Sequence, residues 1–493
     1  MRRLLNETRH YLAGLMHAVR GGWDAFFFTP ADPTALGLIR VATGLLAMWS
    51  LLVFGLDLHD YLGSDGWAEP SAIRMGQRAP AWSFWFLVPD GGLRLVWIGC
   101  LTVLAMDIVG LFSRWTAVLT WVIVVSTVRR VPIALYGFDQ VISPLTLYLA
   151  VTGASGQAVS LDRFLRRWRQ SRSAAAARPL PSRPGGAGRR VTPEEPGVPV
   201  STISANLASR LIQFHLVVIY AMAGLGKLQG PSWWDGTATW KTMTAGEFVV
   251  GDFTPMAGWP LLINLLTHAS LALELLYPIL IWVAVARPLV LACAVVMHAG
   301  IAWMNPGLTE FTLAMLTANL AFVSASWLRG LATGPVRPAL RVLFDGACPR
   351  CRASIALVTA ADPGDVVEPI DLTAVDVRSI HPELTTEACM RSMHAVSAAG
   401  RITAGFEAVR SICAYLPLFW PFAVFAHLPG IASIGRRVYN DVAATRPRDV
   451  PCNDETCEIH FGIPRNVPRP RGYVQNSYNP VSAPADSQEA PHP

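Results

Sequence analysis

Apolar runs long enough to cross a lipid bilayer occupy most of the first 330 residues of the chain. The first run, at about 34–55, is too long for an ordinary core helix, although it contains Arg40. Because backbone polar groups in lipid must find partners within their own segment, these runs predict helices. Further spans are predicted at about 93–112, 114–131, 137–153, 204–228, 259–284, 287–304 and 308–328. The sequence therefore predicts a polytopic α-helical membrane domain of about eight spans.

The charged residues predict how these spans are oriented. A composition of 52% hydrophobic and 15% charged residues is too apolar for an ordinary soluble enzyme. The net charge of +6 comes largely from arginines beside the apolar runs, which mark the cytoplasmic side of a membrane rather than a nucleic-acid interface. With an even number of spans on each side of a basic linker, the N-terminus, the linker and the C-terminal region are all expected in the cytoplasm. We expect an integral protein of the plasma or inner membrane of a bacterium, in contact with lipid and without a nucleic-acid partner.

A Cys-x-x-Cys motif stands where a short apolar run, 341–344, gives way to a helical pattern. At the first turn of a helix, residues three apart share a face, so the sulfurs of Cys348 and Cys351 are within reach of a disulfide. The first cysteine also faces unpaired backbone N–H groups and the positive end of the helix dipole, which favour its thiolate. Pro349 suits such a helix start. The spacing predicts Cys348 as the attacking thiol and Cys351 as the resolving one.

Two other interpretations of this stretch stay open. The two cysteines of the motif are also half of a possible zinc site, to which Cys452, Cys457 and His460 would contribute the remaining ligands. Cys452 and Cys457 are alternatively a second dithiol or a structural disulfide. Asp345 is either the turn residue of an Asp-Gly pair or a residue that handles protons.

Asp345-x-x-Cys348-x-x-Cys351 resembles the signature of the DCC family of thioredoxin-like thiol-disulfide oxidoreductases, over roughly residues 340–460. The resemblance implies a thioredoxin-like α/β fold with the two cysteines as the redox pair, and it includes Asp345. Strands are expected near 341–344, 366–371, 391–396 and 401–403, and helices near 350–360, 405–416 and 430–444. Further motifs that carry the resemblance are Gly400-Arg401-Ile402, Gly405-Phe406-Glu407-Ala408 and Ile434-Gly435-Arg436-Arg437-Val438-Tyr439.

A lysine close to the end of a predicted span is the second candidate residue. The segment from Tyr220 to Lys227, followed by Trp233 and Gly236, resembles the membrane domain of vitamin K-dependent γ-glutamyl carboxylase and its bacterial relatives, the HTTM family. That resemblance implies that Lys227 is the base that deprotonates a vitamin K-type hydroquinone. On physical grounds alone, Lys227 is expected to reach the membrane interface with its charged end rather than to act as a base. The segment Arg129-Arg130-Val131-Pro132 just ahead of Tyr136 has no histidine, whereas the carboxylase has a functional one there, and this argues against glutamate carboxylation.

Other polar residues also fall inside the predicted spans. His298 is expected to be a hydrogen-bonded interior histidine. An interior ion pair, such as Arg40 with Glu274, is one way in which the charges can be accommodated. Cys389 and Cys413, outside the spans, are expected to be buried thiols.

The sequence predicts a membrane-bound thiol-disulfide oxidoreductase of the protein-disulfide reductase type. Thiol exchange requires no cofactor, and its partner would be a protein or a small-molecule thiol or disulfide. A quinone or vitamin K-type hydroquinone is expected if the membrane domain takes part. The alternatives are a carboxylase-like or peptide-maturation membrane enzyme with an accessory redox domain, and a membrane scaffold or transporter with a zinc-binding module.

The predicted domains follow the changes in composition along the chain. They are an amphipathic N-terminal segment (1–30), a first membrane half (31–160), a disordered basic linker (161–200), a second membrane half (201–330), the thioredoxin-like domain (338–462) and a disordered tail (463–493).

Overall fold

The structure is a computed structural model, and it describes residues 2–67, 69–71, 73, 82–176, 199–245, 251–333, 338–362 and 364–447. The part before residue 335 is helical. Its described α-helices are α1 (Arg2–Phe28), α2 (Thr34–Phe54), α3 (Leu58–Leu62), α4 (Leu93–Val109), α5 (Ser113–Arg130), α6 (Gly137–Thr152), α7 (Leu161–Ala176), α8 (Ile203–Lys227), α9 (Pro231–Trp234), α10 (Ala238–Thr244), α11 (Pro260–Leu280), α12 (Arg287–Met304), α13 (Thr309–Asn319) and α14 (Ala325–Thr333). Short 3-10 helices lie at Phe84–Leu87, Asp90–Gly92, Pro132–Ala134, Ser155–Gln157, Thr254–Gly258, Pro306–Leu308 and Leu320–Phe322.

Several of these helices are long and apolar enough to cross a membrane. Among the described residues, five helices meet this condition by length and composition, and up to seven spans result if each of two bent helix pairs counts as one. The five are Thr34–Phe54, Asp90–Val109, Ile203–Lys227, Pro260–Leu280 and Arg287–Met304. The chain therefore has the helices of a membrane protein.

The predicted count of eight spans is not confirmed. Helices α5 and α6 form where spans were predicted, but α5 contains Arg114, Arg129 and Arg130, and α6 has only 16 residues. The predicted span 308–328 is wrong as a single helix, because α13 ends at Asn319 and the chain bends by 116° before α14. Eight spans stay a prediction.

Hydrogen bonds between distant parts of the chain define two ends of the helical bundle. At one end, Arg40 donates to the carbonyl oxygens of Ser155 and Val159, over 2.8 and 2.7 Å. Ala31 and Thr202 form a backbone bridge at the same end, just before α2 and α8. At the other end, Glu310 accepts hydrogen bonds from the indole of Trp49 and the hydroxyl of Tyr136.

The predicted disordered linker from residue 161 is wrong in its first part. Residues 161–176 form α7, whose first turn is fixed because the Asp162 carboxylate accepts hydrogen bonds from the backbone N–H groups of Phe112 and Ser113. The helix is amphipathic, and Phe164 packs against the core of the C-terminal domain. Arginine-rich sequence alone indicated solvation, whereas packing of this one face orders the helix. The rest of the linker, from residue 177 to 198, lies outside the described residues.

The C-terminal region is a small mixed-sheet domain. Its strands are β1 (Leu340–Phe344), β2 (Val367–Asp371), β3 (His394–Ser397) and β4 (Ile402–Ala404). The sheet order is β2-β1-β3-β4, with β1 parallel to β2 and the other pairs antiparallel. Its α-helices are α15 (Pro349–Ala361), α16 (Thr386–Arg391), α17 (Phe406–Tyr415), α18 (Trp420–Ala426) and α19 (Pro429–Ala444), and 3-10 helices lie at Val377–Ser379 and Pro417–Phe419. The four expected strands and three expected helices are confirmed, and α16 and α18 were not expected.

The central strand β1 separates two hydrophobic cores. Val342 faces a core that contains Ile355 of α15 and Ile412 of α17. Leu343 faces the second core, which contains Val377 and Cys389. Successive strand residues point to opposite faces, so a strand that is buried on both sides has consecutive apolar residues, as at 342–344. This buried strand carries the chain directly to the Cys-x-x-Cys motif.

Candidate functional site

The motif occupies the junction between β1 and α15. Cys348 is the N-cap residue of α15, and its Sγ accepts a hydrogen bond from the backbone N–H of Cys351 over 3.3 Å. Pro349 occupies the first turn, where a missing N–H costs no intrahelical bond. The local sequence thus places one sulfur on the N-terminus of a helix and the second one turn later.

The turn before Cys348 depends on a close contact with the end of β2. The carboxylate of Asp371 accepts a hydrogen bond from the backbone N–H of Gly346 over 3.1 Å. A Cβ atom on residue 346 would lie 1.9 Å from the Asp371 carboxylate, so only glycine fits. Asp345 is buried, and its Oδ1 accepts a hydrogen bond from Ala347 N over 3.0 Å. This is the arrangement of a turn residue, and a proton-handling role for Asp345 stays a prediction.

The environment separates the acidities of the two cysteines. A hydrogen bond from the Cys351 thiol, aided by the backbone N–H groups of Cys351 and Arg350, lowers the pKa of Cys348 to about 6, against the opposing effects of burial and of the Asp345 charge. The same sulfur–sulfur hydrogen bond, together with burial, raises the pKa of Cys351. Near neutral pH the pair therefore consists of a Cys348 thiolate and a Cys351 thiol.

The two sulfurs also differ in accessibility. Cys348 has 0% of its surface exposed, whereas Cys351 is partly exposed and borders a cavity of about 530 Å³. Most of the cavity wall is apolar, and Met393 and Tyr439 are among its lining residues. Arg446 brings a positive charge to this wall, with Nη1 3.8 Å from the Cys351 Sγ. The more acidic sulfur is thus covered, and the less acidic one is the sulfur that a ligand in the cavity would meet.

Cys389 and Cys413 are buried thiols, as predicted, and both border the same cavity. Burial raises the pKa of each to about 11, so neither is a thiolate near neutral pH. Cys452, Cys457 and His460 lie outside the described residues, and the zinc site that would use them stays a prediction. Within the part of the chain that the structure describes, no group of three or more His, Cys, Asp or Glu residues could hold a metal ion.

Lys227 ends α8 and forms an ion pair that sequence reasoning missed. Its Nζ contacts both carboxylate oxygens of Glu274 on α11, and it lies 5.0 Å from the centre of the Trp233 ring. The suggested pairing of Glu274 with Arg40 is wrong, since Arg40 binds backbone carbonyl groups. The available signal was one acidic residue in an otherwise apolar span, without an indication of its partner.

A buried polar network also links α8, α11, α12 and α13. His298 is buried, as predicted, and its Nε2 lies 2.8 Å from the hydroxyl of Tyr220. The rings of Tyr220 and Tyr277 stack with centroids 3.8 Å apart, and the Tyr277 hydroxyl donates to Asn319 over 2.7 Å. These contacts fix the helices that carry Lys227 and Glu274.

The structure does not bring the two candidate sites together. Helix α8 begins at the bundle end that bears the linker helix α7 and has 25 residues, so Lys227 lies about 37 Å away at the opposite end. The C-terminal domain, which carries Cys348, contacts α7, and Cys348 is therefore remote from Lys227.

Comparison with protein-family models finds a match to the DCC1-like thiol-disulfide oxidoreductase family over residues 342–449. No curated protein and no solved structure matches the chain. The family match does not extend to residues 30–330, so the relation to the HTTM family and the carboxylase-like function stay predictions. Residues 342–449 thus form a DCC1-like domain, attached to a helical region with several apolar helices.

Proposed function

We propose that the protein is a membrane-bound thiol-disulfide oxidoreductase in which Cys348 and Cys351 exchange electrons with an external thiol or disulfide. The observation that carries the proposal is the hydrogen-bonded position of the Cys348 sulfur at the N-terminus of α15, with its pKa lowered to about 6. A thioredoxin-like fold is supported by the β1-α15-β2 unit, which is followed by the antiparallel pair β3-β4 and α17.

In the reductase direction, the Cys348 thiolate attacks one sulfur of a substrate disulfide. The substrate S–S bond breaks, a mixed disulfide forms, and the first substrate thiolate leaves and takes up a proton. The Cys351 thiol then loses its proton and attacks the Cys348 sulfur, which releases the second substrate thiolate. The substrate is reduced by two electrons and the Cys348–Cys351 pair is oxidised, so an external dithiol must regenerate the enzyme.

The opposite direction, oxidation of a substrate dithiol, is favoured by the different exposure of the two sulfurs. In the disulfide form, a substrate thiolate that enters the cavity meets Cys351, because Cys348 is covered. Its attack on Cys351 Sγ breaks the enzyme disulfide, and Cys348 leaves as the more acidic thiol, which is the better leaving group. The second substrate thiolate then attacks the substrate sulfur bound to Cys351; the mixed disulfide breaks, the substrate disulfide forms, and Cys351 leaves and takes up a proton.

Equilibration of the full-length protein in phospholipid nanodiscs against glutathione redox buffers tests both directions. Alkylation of free thiols and mass spectrometry give the fraction of oxidised Cys348–Cys351. We expect one reversible two-electron step that Cys348→Ser removes. A midpoint reduction potential of the Cys348–Cys351 couple well above about −270 mV, the value typical of reducing thioredoxins, favours substrate oxidation. A midpoint potential near that value favours substrate reduction. Absence of a reversible step contradicts the proposal.

Coupling to a quinone is a second proposal, and the Lys227–Glu274 contact favours it. For Lys227 to act as a base on a hydroquinone, its Nζ must first give up a proton, and the Glu274 carboxylate is positioned to accept it. The distance between the bundle ends requires the quinone, rather than the protein, to carry electrons between the two sites. Lys227→Ala should abolish the protein-dependent oxidation of menahydroquinone by ferricyanide in anaerobic vesicles but leave the glutathione equilibrium unchanged. Unchanged menahydroquinone oxidation in this variant excludes a catalytic role for Lys227.

A further inference from the structure

The DCC1-like domain carries a large exposed apolar face on the two helices at its C-terminal end. Between Leu418 and Val442, ten large apolar side chains are exposed, by 41% to 67% of their surface. We call this stretch of α18, α19 and their flanking residues the apolar face. Water-soluble domains seldom leave so many large apolar side chains together in solvent, so this surface is expected to have a partner.

The pattern along α19 shows that these side chains are not part of the domain core. Ile434, Val438 and Val442 recur at the spacing of one side of a helix, and each is more than half exposed. An adjacent side of α19 makes the core contacts, where Gly435 lies against the ring of Phe406 and the Tyr439 hydroxyl accepts a hydrogen bond from Met393 N. The domain is therefore complete without burying the apolar face.

The connections of the domain hold it close to the apolar helices of the bundle. Helix α14 ends at Thr333 and β1 begins at Leu340, so the connecting backbone reaches at most about 25 Å. Helix α7, which is fixed to Phe112 and Ser113 between α4 and α5, packs along α15. Both attachments belong to the same end of the bundle, and a bilayer spanned by α2, α4 and α8 has its surface there.

The composition of the apolar face and its surroundings matches a lipid surface. Helix α18 follows the core helix α17 at an angle of 116° and exposes Phe422, Val424 and Phe425, as expected of a short helix that lies in the interface. The exposed Trp420 is a residue type that favours the headgroup region. Arg437 is exposed on α19, and Arg166, Arg169 and Arg172 are exposed on α7; these cations complement anionic headgroups.

We propose that the apolar face lies in the interfacial layer of the bilayer that the rest of the chain spans. Phe422 and Val442 belong both to this face and to the wall of the cavity beside Cys351. The cavity therefore opens onto the apolar face, and the thiol or disulfide that reacts with the Cys348–Cys351 pair enters from the lipid. This substrate class, a lipid-soluble thiol or disulfide, rests on the proposed function of the cysteine pair.

Photolabelling from the lipid phase tests the location of the face. The full-length protein is reconstituted into vesicles of phosphatidylcholine and phosphatidylglycerol that contain a diazirine-bearing phosphatidylcholine, irradiated and analysed by peptide mass spectrometry. We expect lipid adducts on 418–442 as well as on α2, and none at Val375, an exposed apolar residue elsewhere on the domain. If α2 is labelled and 418–442 is not, the proposal is overturned, and a second copy of the chain or helix α1 covers the face instead.

A pair of charged variants tests entry from the lipid. Phe425 lies on the apolar face but not in the cavity wall, and Val375→Glu is the matched control. Phe425→Glu should remove adducts from 418–442 and slow the reaction with a dialkyl disulfide dissolved in the vesicles about tenfold, because a charge opposes insertion of an interfacial helix. The reaction with a water-soluble aromatic disulfide should keep its rate, and Val375→Glu should change neither.

The failure of this inference is distinguishable from failure of the proposed function. If Phe425→Glu loses its adducts and both disulfides still react at wild-type rates, entry from the lipid is overturned while the cysteine chemistry stands. If neither disulfide reacts even with the wild-type protein, or if Cys348→Ser reacts with both, the proposed function itself fails.

Discussion

Cys348 and Lys227 both lie at helix termini, but at opposite kinds of terminus. Cys348 caps the N-terminus of α15, where the helix dipole and free N–H groups favour an anion, and Lys227 ends α8, where the dipole favours a cation. The groups that stabilise the Cys348 thiolate come from Cys351 and Arg350, within three residues along the chain. The partner of Lys227 is Glu274, 47 residues away on another helix.

Because of this difference, chemistry can be separated from folding by mutation at Cys348 but not at Lys227. The Cys348 site is built by one turn of helix, so a change in a sulfur alters reactivity while the surrounding hydrogen bonds remain. The Lys227 site exists only if α8 packs on α11, so a change in either charged residue affects both packing and chemistry.

The largest effect is expected at the two cysteines. Cys348→Ser should reduce thiol-disulfide exchange by at least about three orders of magnitude, because a hydroxyl is not ionised near neutral pH. Cys351→Ser should instead accumulate a mixed disulfide on Cys348, detectable as a mass increase under non-reducing conditions. The midpoint temperature of thermal unfolding should be close to the wild-type value for both variants. Accumulation of the mixed disulfide on Cys351 in Cys348→Ser would show that the roles are reversed.

The second prediction concerns pH. Because the pKa of Cys348 is lowered to about 6, its alkylation by iodoacetamide should rise through pH 6 and level off above pH 7, where its thiolate fraction is about thirty times that of an unperturbed cysteine. The folded-state pKa lies below the unfolded one, so the stability that the thiolate contributes to the reduced protein should be lost as pH falls through 6. Cys389 serves as the internal control, since its pKa of about 11 keeps it unreactive. Alkylation of Cys348 that rises only above pH 8 contradicts the prediction.

The third effect is expected at the ion pair in the bundle. Glu274→Gln leaves the Lys227 ammonium without its carboxylate and should lower the free energy of unfolding by roughly 2 kcal/mol, less than for a fully buried pair because the Lys227 side chain is 25% exposed. The double change Lys227→Met and Glu274→Leu should recover most of this loss. Reversible unfolding in mild detergent measures both. If the double variant is less stable than Glu274→Gln, apolar side chains do not replace the ion pair. The contact between Lys227 and Glu274 then stabilises the bundle by itself.

The redox domain was largely predictable because its signals are local. The buried strand, the Asp-Gly turn and Pro349 at the helix start all lie between residues 341 and 351, where neighbouring residues decide the structure. The burial of Cys348 was not predictable, since it depends on packing between distant elements. Glu274 was noticed as a charge in an apolar span, but its partner depends on the register between α8 and α11. The order of α7 was missed because its stabilising contacts are with α15, almost 200 residues away.

The smallest effect is expected where α7 meets the cysteine helix. Arg167 donates from its two terminal nitrogens to the carbonyl oxygens of Thr359 and Asp362, over 2.8 and 3.0 Å, and so satisfies the C-terminal end of α15. Arg167→Ala should cost about 1 kcal/mol, seen as faster hydrogen exchange in the last turn of α15, and Arg169→Ala, an exposed position on the same helix, should cost less. Because Cys348 is at the other end of the 13-residue helix, its alkylation rate should change less than twofold. A larger change would show that the cysteine site is not built by its own helix turn alone, and that helix α7 adjusts its reactivity.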